Sequence, residues 1–497
     1  MALYKELDIM MSYENPGFEF AKTKNPRLQT WDGRVRLFDK KTFPVGLLKM
    51  VTGLLDKKNE KYTVEDLRDH SQGEELKIID PKFMARDYQE EVVRVAMEQK
   101  SGVIRMCTGS GKTSVIAMIA AKFNVKTIVY VIGKELLFQM KETVERLLGI
   151  KCGIIGDGIC DISEQINICT IWSAARAFDL KASILDSDVK PDKEISIENK
   201  IKIKKLVKEA RMFILDECQY AGSSSLQMLS KLSESSRFRF LLSGTPWREM
   251  GDDILIEAVS GPKIYDLPAT TLINRGILVP PKIYFINVPR KRVIGKTYNE
   301  VYSNYIVNNE ERNNLIVYAA KDLIEKGRKV LILISKVEHG HILHDLLSDK
   351  YRVDSLNGSD SSDARMNAIK MMREGSLDVL IASKIFDQGI DIPELDALIL
   401  AGSGKSSARA LQRIGRVIRS YPSKKWANVI EFWDNAKYLD EHSKARLKIY
   451  RSEPAFQIKI QQSTISVQPE QKISHEISWE KNDRRRTISK NSKLDSR

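Results

Sequence analysis

The sequence predicts an α/β protein with two parallel-sheet domains in tandem and a small α+β domain before them. From about residue 85, short β-branched apolar runs alternate with longer amphipathic stretches, as in βαβ units on a sheet covered on both faces. The same alternation restarts near Lys329. With 497 residues, the chain also exceeds the size at which a single hydrophobic core stops growing. These observations predict two sheets.

The domain boundaries follow from the predicted strands and from breaks between them. The predicted strands are 127–133, 166–172, 212–217 and 238–244 in the first sheet domain, and 329–335, 377–383 and 395–402 in the second. The predicted domains are 1–75, 76–268 and 269–452, followed by a polar tail over 453–497. Gly276 and the pair Pro280-Pro281 interrupt the pattern and mark the junction. The charged segment 185–205 is expected to be a surface insertion.

The composition narrows the class of protein. Lys and Arg total 80 against 66 Asp and Glu, a net charge of +14 that fits a polyanionic partner. The sequence has no N-terminal apolar signal and no uncharged apolar run near the ~18 residues that span a bilayer, so we expect a cytoplasmic protein without a membrane partner. The five cysteines form no CxxC pair, which favours a reducing compartment and argues against structural zinc.

A Gly-Ser-Gly-Lys sequence and a hydroxyl residue after it follow an apolar strand and precede a helix at two places, residues 109–113 and 402–406. Both lack the first glycine of the GxxxxGK[ST] pattern, which is Met106 in one and Ile399 in the other. Such loops cradle phosphate with backbone N–H groups, a lysine and a hydroxyl that binds Mg²⁺. The predicted nucleotide-binding residues of the first loop are Thr108, Gly109, Ser110, Gly111, Lys112 and Thr113.

The strand 212–217 selects the first loop, because it ends in two adjacent carboxylates. Asp216 is predicted to hold Mg²⁺ together with Thr113, and Glu217 to orient or deprotonate the attacking water. The alternative is a buried strand that ends in ordinary surface acids. The second loop is expected to be a Gly-rich turn before a helix, with Lys405 in contact with substrate or the domain interface.

Seven short sequences, in this order, resemble the motif series of superfamily 2 helicases. They are ARDYQ (85–89), TGSGKT (108–113), GKELLFQ (133–139), DECQ (216–219), SGTPWR (243–248), FDQGIDIP (386–393) and QRIGRVIR (412–419). The resemblance covers both α/β domains. It implies two RecA-like domains, with ATP in the cleft between them and nucleic acid across both.

The resemblance also implies roles for residues around the nucleotide. Gln89 would pair with adenine, with Arg86 in the same motif, although Arg86 also suits a plain helix N-terminus. Arg416 and Arg419, one helical turn apart, would point at the γ-phosphate as arginine fingers rather than form a solvated basic face. Gly389 and Asp391 would line the same cleft.

Other motif residues would couple the two sites. Ser243 and Thr245 would relay between ATP and nucleic acid. Gln219 stands where many relatives have His, and Gln412, counted among the catalytic residues, replaces the His of DEAD-box enzymes. Gln412 and the absence of the full DEAD motif argue against a typical RNA-specific DEAD-box protein.

The segment 25–48 resembles the N-terminal domain of phage UvsW-type helicases. That resemblance implies an ATP-driven enzyme acting on branched DNA, such as forks, Holliday junctions, D-loops or R-loops, in the host cytoplasm during phage recombination, replication or repair. A monomer is expected. An RNA helicase, or an ATP-switched remodelling or annealing protein, stays an alternative.

Six residues are predicted to contact nucleic acid: Trp31, Arg34, Arg36, Thr170, Ser335 and Ser383. The first three form a basic strip with an aromatic ring, suited to phosphate contact and base stacking. An equally weighted alternative is a hairpin with Trp31 in the core and Asp32-Gly33 in the turn. The other three lie at or near the ends of predicted strands, where hydroxyl and backbone groups could hold phosphate without reading sequence.

Overall fold

The computed structural model describes residues 2–15, 17–18, 22–23, 25, 29–180, 195–246, 251–290, 295–383, 392–402, 404 and 407–461. These residues form a two-stranded sheet near the N-terminus, an eight-stranded sheet and a seven-stranded sheet. We call the parts built on the two larger sheets the first lobe and the second lobe. None of the described helices combines the length and apolar character needed to cross a bilayer.

The N-terminal segment has its own two-stranded sheet and packs on the first lobe. It contains α1 (Ala2–Met10), β1 (Ser12–Glu14), β2 (Arg34–Arg36), a 3₁₀ turn (Val45–Leu47) and α2 (Leu48–Lys57). Its buried cluster, which includes Met11 and Leu47, also takes in Ala258 of the first lobe. A Cβ on Gly46 would lie 2.0 Å from the carbonyl oxygen of Glu257, so the two segments touch through backbone.

The first lobe is a mostly parallel sheet between helices. Its strands are β3 (Ser101–Met106), β4 (Thr127–Val131), β5 (Gly153–Gly156), β6 (Ile159–Asp161), β7 (Ile166–Thr170), β8 (Met212–Asp216), β9 (Phe238–Ser243) and β10 (Lys263–Leu267). They lie in the order β10-β3-β9-β8-β4-β7-β5-β6, and β5 pairs antiparallel with β6. The helices are α3 (Asp87–Gln99), α4 (Lys112–Phe123), α5 (Lys134–Leu148), α6 (Ile171–Ala177), α7 (Ile197–Glu209), α8 (Ser224–Leu232) and α9 (Ile254–Ser260), with a 3₁₀ helix at Cys218–Gly222.

The second lobe follows α10 (Ala269–Asn274) and is a parallel sheet. Its strands are β11 (Pro281–Val288), β12 (Val330–Leu333), β13 (Val353–Leu356), β14 (Val379–Ala382), β15 (Ala397–Leu400), β16 (Ala427–Asp434) and β17 (Gln457–Gln461). They lie in the order β13-β14-β12-β15-β16-β11-β17. The helices are α11 (Tyr298–Tyr302), a π-helical turn (Ser303–Val307), α12 (Glu310–Glu325), α13 (Val337–Ser348), α14 (Ser362–Glu374), α15 (Ser407–Val417) and α16 (Leu439–Arg451).

The predicted fold class is confirmed, and every predicted strand contains an observed one. All residues of β4, β7 and β8 are buried, as apolar strands covered on both faces require. The described part of the expected surface insertion leads into the helix α7, and Ile203 is its one buried residue among those described. One prediction was wrong in detail. Part of the expected tail is β17, the edge strand of the second sheet. The rest of the tail lies outside the described residues.

A buried ion pair in the second lobe leads to a stability prediction. Arg312 Nε donates to Asp434 Oδ1 at 2.8 Å, its Nη1 donates to the carbonyl oxygen of Ala401 at 2.8 Å, and both charged side chains are fully buried. We expect Asp434→Ala to lower the free energy of unfolding by about 3–5 kcal/mol, because the guanidinium is left buried without its carboxylate. The control is Lys326→Ala, which removes an exposed ion pair just after α12, the helix that carries Arg312. It should lower the free energy of unfolding by less than about 1 kcal/mol. Urea denaturation of both variants measures the difference, and equal losses would contradict the prediction.

Candidate active site

The first Gly-rich loop joins β3 to α4. Gly109 and Gly111 have φ of +86° and +82°, in the left-handed region that glycine tolerates best. Ser110 is fully buried, and its backbone N–H and hydroxyl donate to the carbonyl oxygen of Cys107 at 3.2 and 2.7 Å. The loop therefore turns tightly into the N-terminus of α4, where free backbone N–H groups and the helix dipole suit a phosphate.

Lys112 and Thr113 open the helix α4. The Lys112 ammonium donates to the carbonyl oxygen of Met106 at 3.4 Å, which brings it back across the loop. Both side chains are half-buried. Thr108 is also half-buried, on the strand side of the loop.

The motif at the start of α3 is tied to this loop. Gln89 is buried: its Oε1 accepts the backbone N–H of Arg86 at 3.0 Å, and its Nε2 donates to the carbonyl oxygen of Ser110 at 3.1 Å. Arg86 Nη1 donates to the Tyr88 hydroxyl at 2.8 Å, and that hydroxyl donates to the same Ser110 oxygen at 3.0 Å. Tyr88 was not predicted as a site residue, although its place between Arg86 and Gln89 was the available signal. These bonds hold the loop, and adenine recognition by Gln89 stays a prediction.

Two carboxylates stand at the carboxyl end of β8. Asp216 is buried, and its Oδ1 accepts the backbone N–H of Glu217 at 3.1 Å. Burial, reinforced by the charge of Glu217, raises the pKa of Asp216 to about 7, while Lys112 acts in the opposite direction. A buried carboxylate beside a second one is stabilised in its ionised form by a nearby cation. Asp216 therefore suits a hard divalent cation, and the part of Thr113 in holding it stays a prediction.

The second carboxylate, Glu217, connects the two lobes. Glu217 has a φ of +61°, a strained value for a residue with a side chain. Its Oε2 accepts from Gln219 Nε2 at 3.1 Å and from Gln412 Nε2 of the second lobe at 2.9 Å. The Ser243 hydroxyl lies 3.2 Å from the same oxygen and 2.8 Å from Gln219 Oε1, and it accepts the backbone N–H of Thr245 at 3.1 Å. The structure therefore places Ser243, a predicted relay residue, within hydrogen-bonding distance of Glu217, the predicted base.

The helix α15 packs directly on the phosphate loop. A Cβ on Gly415 would lie 2.4 Å from Thr108 Cβ, so only glycine fits at that point of the helix. A Cβ on Gly109 would lie 3.7 Å from Arg419 Cγ, which places Arg419 against the loop. Arg416 and Arg419 are both half-buried.

The helical spacing predicted for Arg416 and Arg419 was wrong. The helix α15 ends at Val417, and Arg419 forms an antiparallel bridge with Leu278. The backbone N–H of Val279 donates to the carbonyl oxygen of Ile418 at 2.8 Å. Pairing with this distant segment ends the helix before Arg419, so the two arginines approach from a helix and from the extended chain after it.

Arg105 and Glu453 form a second contact between the lobes, which the sequence did not predict. Arg105 Nη2 lies 3.1 Å from Glu453 Oε1, and its Nε donates to the carbonyl oxygen of Gly244 at 3.3 Å. The other oxygen of Glu453 accepts the backbone N–H and hydroxyl of Thr270 at 2.9 and 2.8 Å. Arg105 lies three residues before the phosphate loop. The contact therefore connects the start of that loop with Gly244 and with Thr270, which lies between the two lobes.

The predicted nucleic-acid residues differ in their surroundings. Thr170 is buried and caps α6, with its Oγ1 accepting the backbone N–H of Ser173 at 3.3 Å, so its predicted phosphate contact is not supported. Ser335 and Ser383 are half-buried and follow the adjacent strands β12 and β14. Their predicted contacts remain open. Gly389 and Asp391 lie outside the described residues.

The predicted N-terminal strip is held by local contacts. The Trp31 indole N–H donates to the carbonyl oxygen of Arg34 at 3.0 Å. Arg34 donates to the Ser12 hydroxyl at 2.8 Å, and Arg36 lies 2.7 Å from Asp8. Arg36 also bonds Asp32 and holds the pKa of that carboxyl at about 2. The alternative hairpin with its turn at Asp32-Gly33 is not formed, because β2 pairs with β1 and 19 residues separate the two strands. Base or phosphate contact by these residues stays a prediction.

Comparison with known families matches two segments. The description "Type III restriction enzyme, res subunit" matches residues 82–248, and "Helicase conserved C-terminal domain" matches residues 312–421. Together they cover more than half of the chain. Each segment contains one half of the site: the phosphate loop and carboxylates in the first, Gln412 and the two arginines in the second.

Named relatives agree with this assignment. The chain is 26% identical to the DNA 3'-5' translocase XPB2 of Sulfurisphaera tokodaii, over 69% of this chain and 80% of the relative. It is 24% identical to the ATP-dependent DNA helicase uvsW of Enterobacteria phage T4, over 87% of each. A solved structure of S. cerevisiae Dbp5 bound to RNA and ADP BeF3 shares the fold, with a TM-score of 0.51 and 15% identity over 84% of this chain and 93% of that one. The chain belongs to the superfamily 2 helicases, ATP-dependent enzymes that unwind nucleic acid.

Proposed function

We propose that this chain is an ATP-dependent DNA helicase or translocase that acts on branched DNA, in phage recombination, replication or repair. The observation that carries the catalytic part is the hydrogen bond between Gln412 of the second lobe and Glu217 of the first. The choice of DNA is supported by two relatives named as a DNA translocase and a DNA helicase. The net charge of +14 fits a nucleic-acid partner.

Each lobe would supply part of the site for ATP. Lys112 and the N-terminus of α4 would hold the β- and γ-phosphates, and Glu217 would orient the attacking water. Arg416 and Arg419 would stabilise the charge that develops on the γ-phosphate. Mg²⁺, held by Thr113 and Asp216, would supply charge neutralisation at the phosphates.

Hydrolysis would be coupled to motion through contacts that both lobes share. Glu217 accepts from Gln412 across the cleft and lies beside Ser243, so a change at the γ-phosphate would reach both lobes. The lobes would close with ATP bound and open after hydrolysis. Their contacts with the nucleic-acid strand would then tighten and loosen in alternation. Contacts with the phosphate backbone would let the protein move along nucleic acid without recognising the base sequence.

A substrate panel tests the preferred nucleic acid. ATP turnover and strand separation are measured with single-stranded, duplex and forked DNA, a Holliday junction, and matched RNA, at one stated salt concentration because phosphate-driven affinity depends steeply on salt. We expect forked or junction DNA to give the greatest stimulation and unwinding. Greater stimulation by RNA would favour the RNA helicase, and annealing without ATP-dependent separation would favour a remodelling protein.

A further inference from the structure

Glu453 lies between α16 and β17 of the second lobe, and its side chain is only 2% exposed. One carboxylate oxygen lies 3.1 Å from Arg105 Nη2 of the first lobe. The other oxygen accepts the backbone N–H and the hydroxyl of Thr270, in the helix α10 before the second lobe, at 2.9 and 2.8 Å. A buried carboxylate needs such donors, because they replace the water that it loses. The chain after α16 is therefore fixed to the first lobe and to α10.

Arg105 extends this contact toward the residue proposed as the base. Its Nε donates to the carbonyl oxygen of Gly244 at 3.3 Å. Gly244 follows Ser243, whose hydroxyl lies 3.2 Å from Glu217 Oε2. It precedes Thr245, whose backbone N–H donates to the same hydroxyl at 3.1 Å. A short series of contacts therefore leads from the buried carboxylate of the second lobe to Glu217.

The Arg105–Glu453 pair lies where the two lobes pack closely. A cavity of about 20 Å³ borders both side chains and is also lined by Thr108 of the phosphate loop and Gly415 of α15. A space of that size holds about one water molecule. Because little water reaches the pair, its attraction is screened less than that of an exposed ion pair. Asp266 of the first lobe also lies 3.1 Å from Arg105 Nη1, so both lobes hold the guanidinium.

Glu453 and Arg105 lie outside the seven helicase motifs, so no motif assigns them a role. We propose that Glu453 is a positioning residue for ATP hydrolysis and acts through Arg105. The arginine holds the backbone at Gly244, and so keeps the Ser243 hydroxyl beside Glu217. The inference rests on the role proposed for Glu217 as the base. The phosphate loop binds ATP without this series of contacts, so the rate of hydrolysis depends on Glu453 and the affinity for ATP does not.

Glu453→Gln tests the proposal in the full chain. The amide has one oxygen, so it can accept from Arg105 or from Thr270 but not from both, and its NH₂ group then faces a donor. We expect kcat for ATP hydrolysis to fall about 10-fold, less than the roughly 10²-fold that a misplacement of about 1 Å can cost. The KM for ATP and the affinity for a fluorescent ATP analogue should stay within about twofold of the values for the unaltered chain. An unchanged kcat, or a raised KM at unchanged kcat, would overturn the proposal.

Asp396→Asn is the matched control. Asp396 lies 2.8 Å from Arg328 Nη1 and accepts the backbone N–H of Lys329 at 3.1 Å, so it too holds an arginine and a backbone group. It stands directly before β15, whereas Gln412 of the candidate active site lies in the helix that follows β15. We expect its kcat to stay within about twofold of that of the unaltered chain. Equal losses of kcat in Asp396→Asn and Glu453→Gln would show a general structural effect and overturn the positioning role.

A second background tests whether Glu453 acts through Arg105. Arg105→Met alone should lower kcat at least as much as Glu453→Gln, because it removes the donor to Gly244 as well. In that background the amide can turn its oxygen to Thr270 without facing a guanidinium. Glu453→Gln should then lower kcat further by less than about twofold, so that the two changes are not additive. Additive losses would contradict action through the arginine.

Arg105→Lys decides if Glu453→Gln does not fold. Lysine keeps the charge but lacks the rigid fork with which the guanidinium bonds Glu453 and Gly244 together. The proposal predicts a lower kcat and an unchanged KM for this variant. A kcat equal to that of the unaltered chain would overturn the proposal.

This inference and the proposed function fail separately. Turnover is measured with whichever nucleic acid of the substrate panel stimulates it most, so a preference for RNA, or annealing without strand separation, removes only the proposed function. An unchanged kcat in Glu453→Gln, together with lost turnover in Glu217→Gln, removes only the positioning role.

Discussion

Lys112→Ala is expected to abolish DNA-stimulated ATP hydrolysis. The Lys112 ammonium lies across the phosphate loop, close enough to Asp216 to oppose the rise in the pKa of that carboxyl that burial causes. Alanine removes the positive charge that would meet the β- and γ-phosphates. A loss of one preorganised electrostatic contact at a reacting group costs about 10²- to 10³-fold in kcat. Steady-state phosphate release at saturating DNA measures the loss.

The matched control is Lys122→Ala, which removes an exposed lysine of the same helix α4. Its hydrolysis rate should equal that of the unaltered chain. Full activity in Lys112→Ala would contradict the assignment of the nucleotide to the first loop. It would favour the second loop, at 402–406, which carries the same residue types.

Glu217→Gln should stop turnover while nucleotide binding persists. Glutamine keeps the shape of the side chain and an oxygen that can accept from Gln412, but it cannot take a proton from water. We expect kcat to fall by about 10²- to 10⁴-fold, the usual contribution of a general base.

Two measurements on the same protein separate binding from chemistry. A fluorescent ATP analogue should bind Glu217→Gln with the affinity of the unaltered chain, and phosphate release should be lost. Glu234→Gln, a change at an exposed acid of the first lobe, should alter neither quantity. Turnover in Glu217→Gln at the original rate would rule out Glu217 as the base.

The parts of the fold that could be predicted are those with a local signal. Strands such as β8 are apolar throughout because a parallel sheet buries them on both faces. Edge strands lack that signal: β17 alternates Gln and Lys with Ile, and β13 is only partly buried. Their pairing depends on neighbours far away in the chain, so they were not predicted.

The site residues divide in the same way, into those that a short motif predicts and those whose position depends on contacts far away in the chain. The loop, the two carboxylates and the relay residues lie within short motifs, and the structure brings them together. The position of Arg419 depends on a bridge to Leu278, and Arg36 is held by Asp8, neither of which periodicity reveals. Thr170 is a case where a local signal was available, because a threonine before a helix commonly caps it.

The central claim is that residues of both lobes bind the triphosphate of the same ATP molecule. A crystal structure of the chain with DNA and ADP BeF3 tests it most directly. The account predicts that Arg416 and Arg419 donate to the γ-phosphate mimic, at about 2.7–3.2 Å, on the side opposite Lys112. A closed complex in which both guanidinium groups face solvent would contradict it.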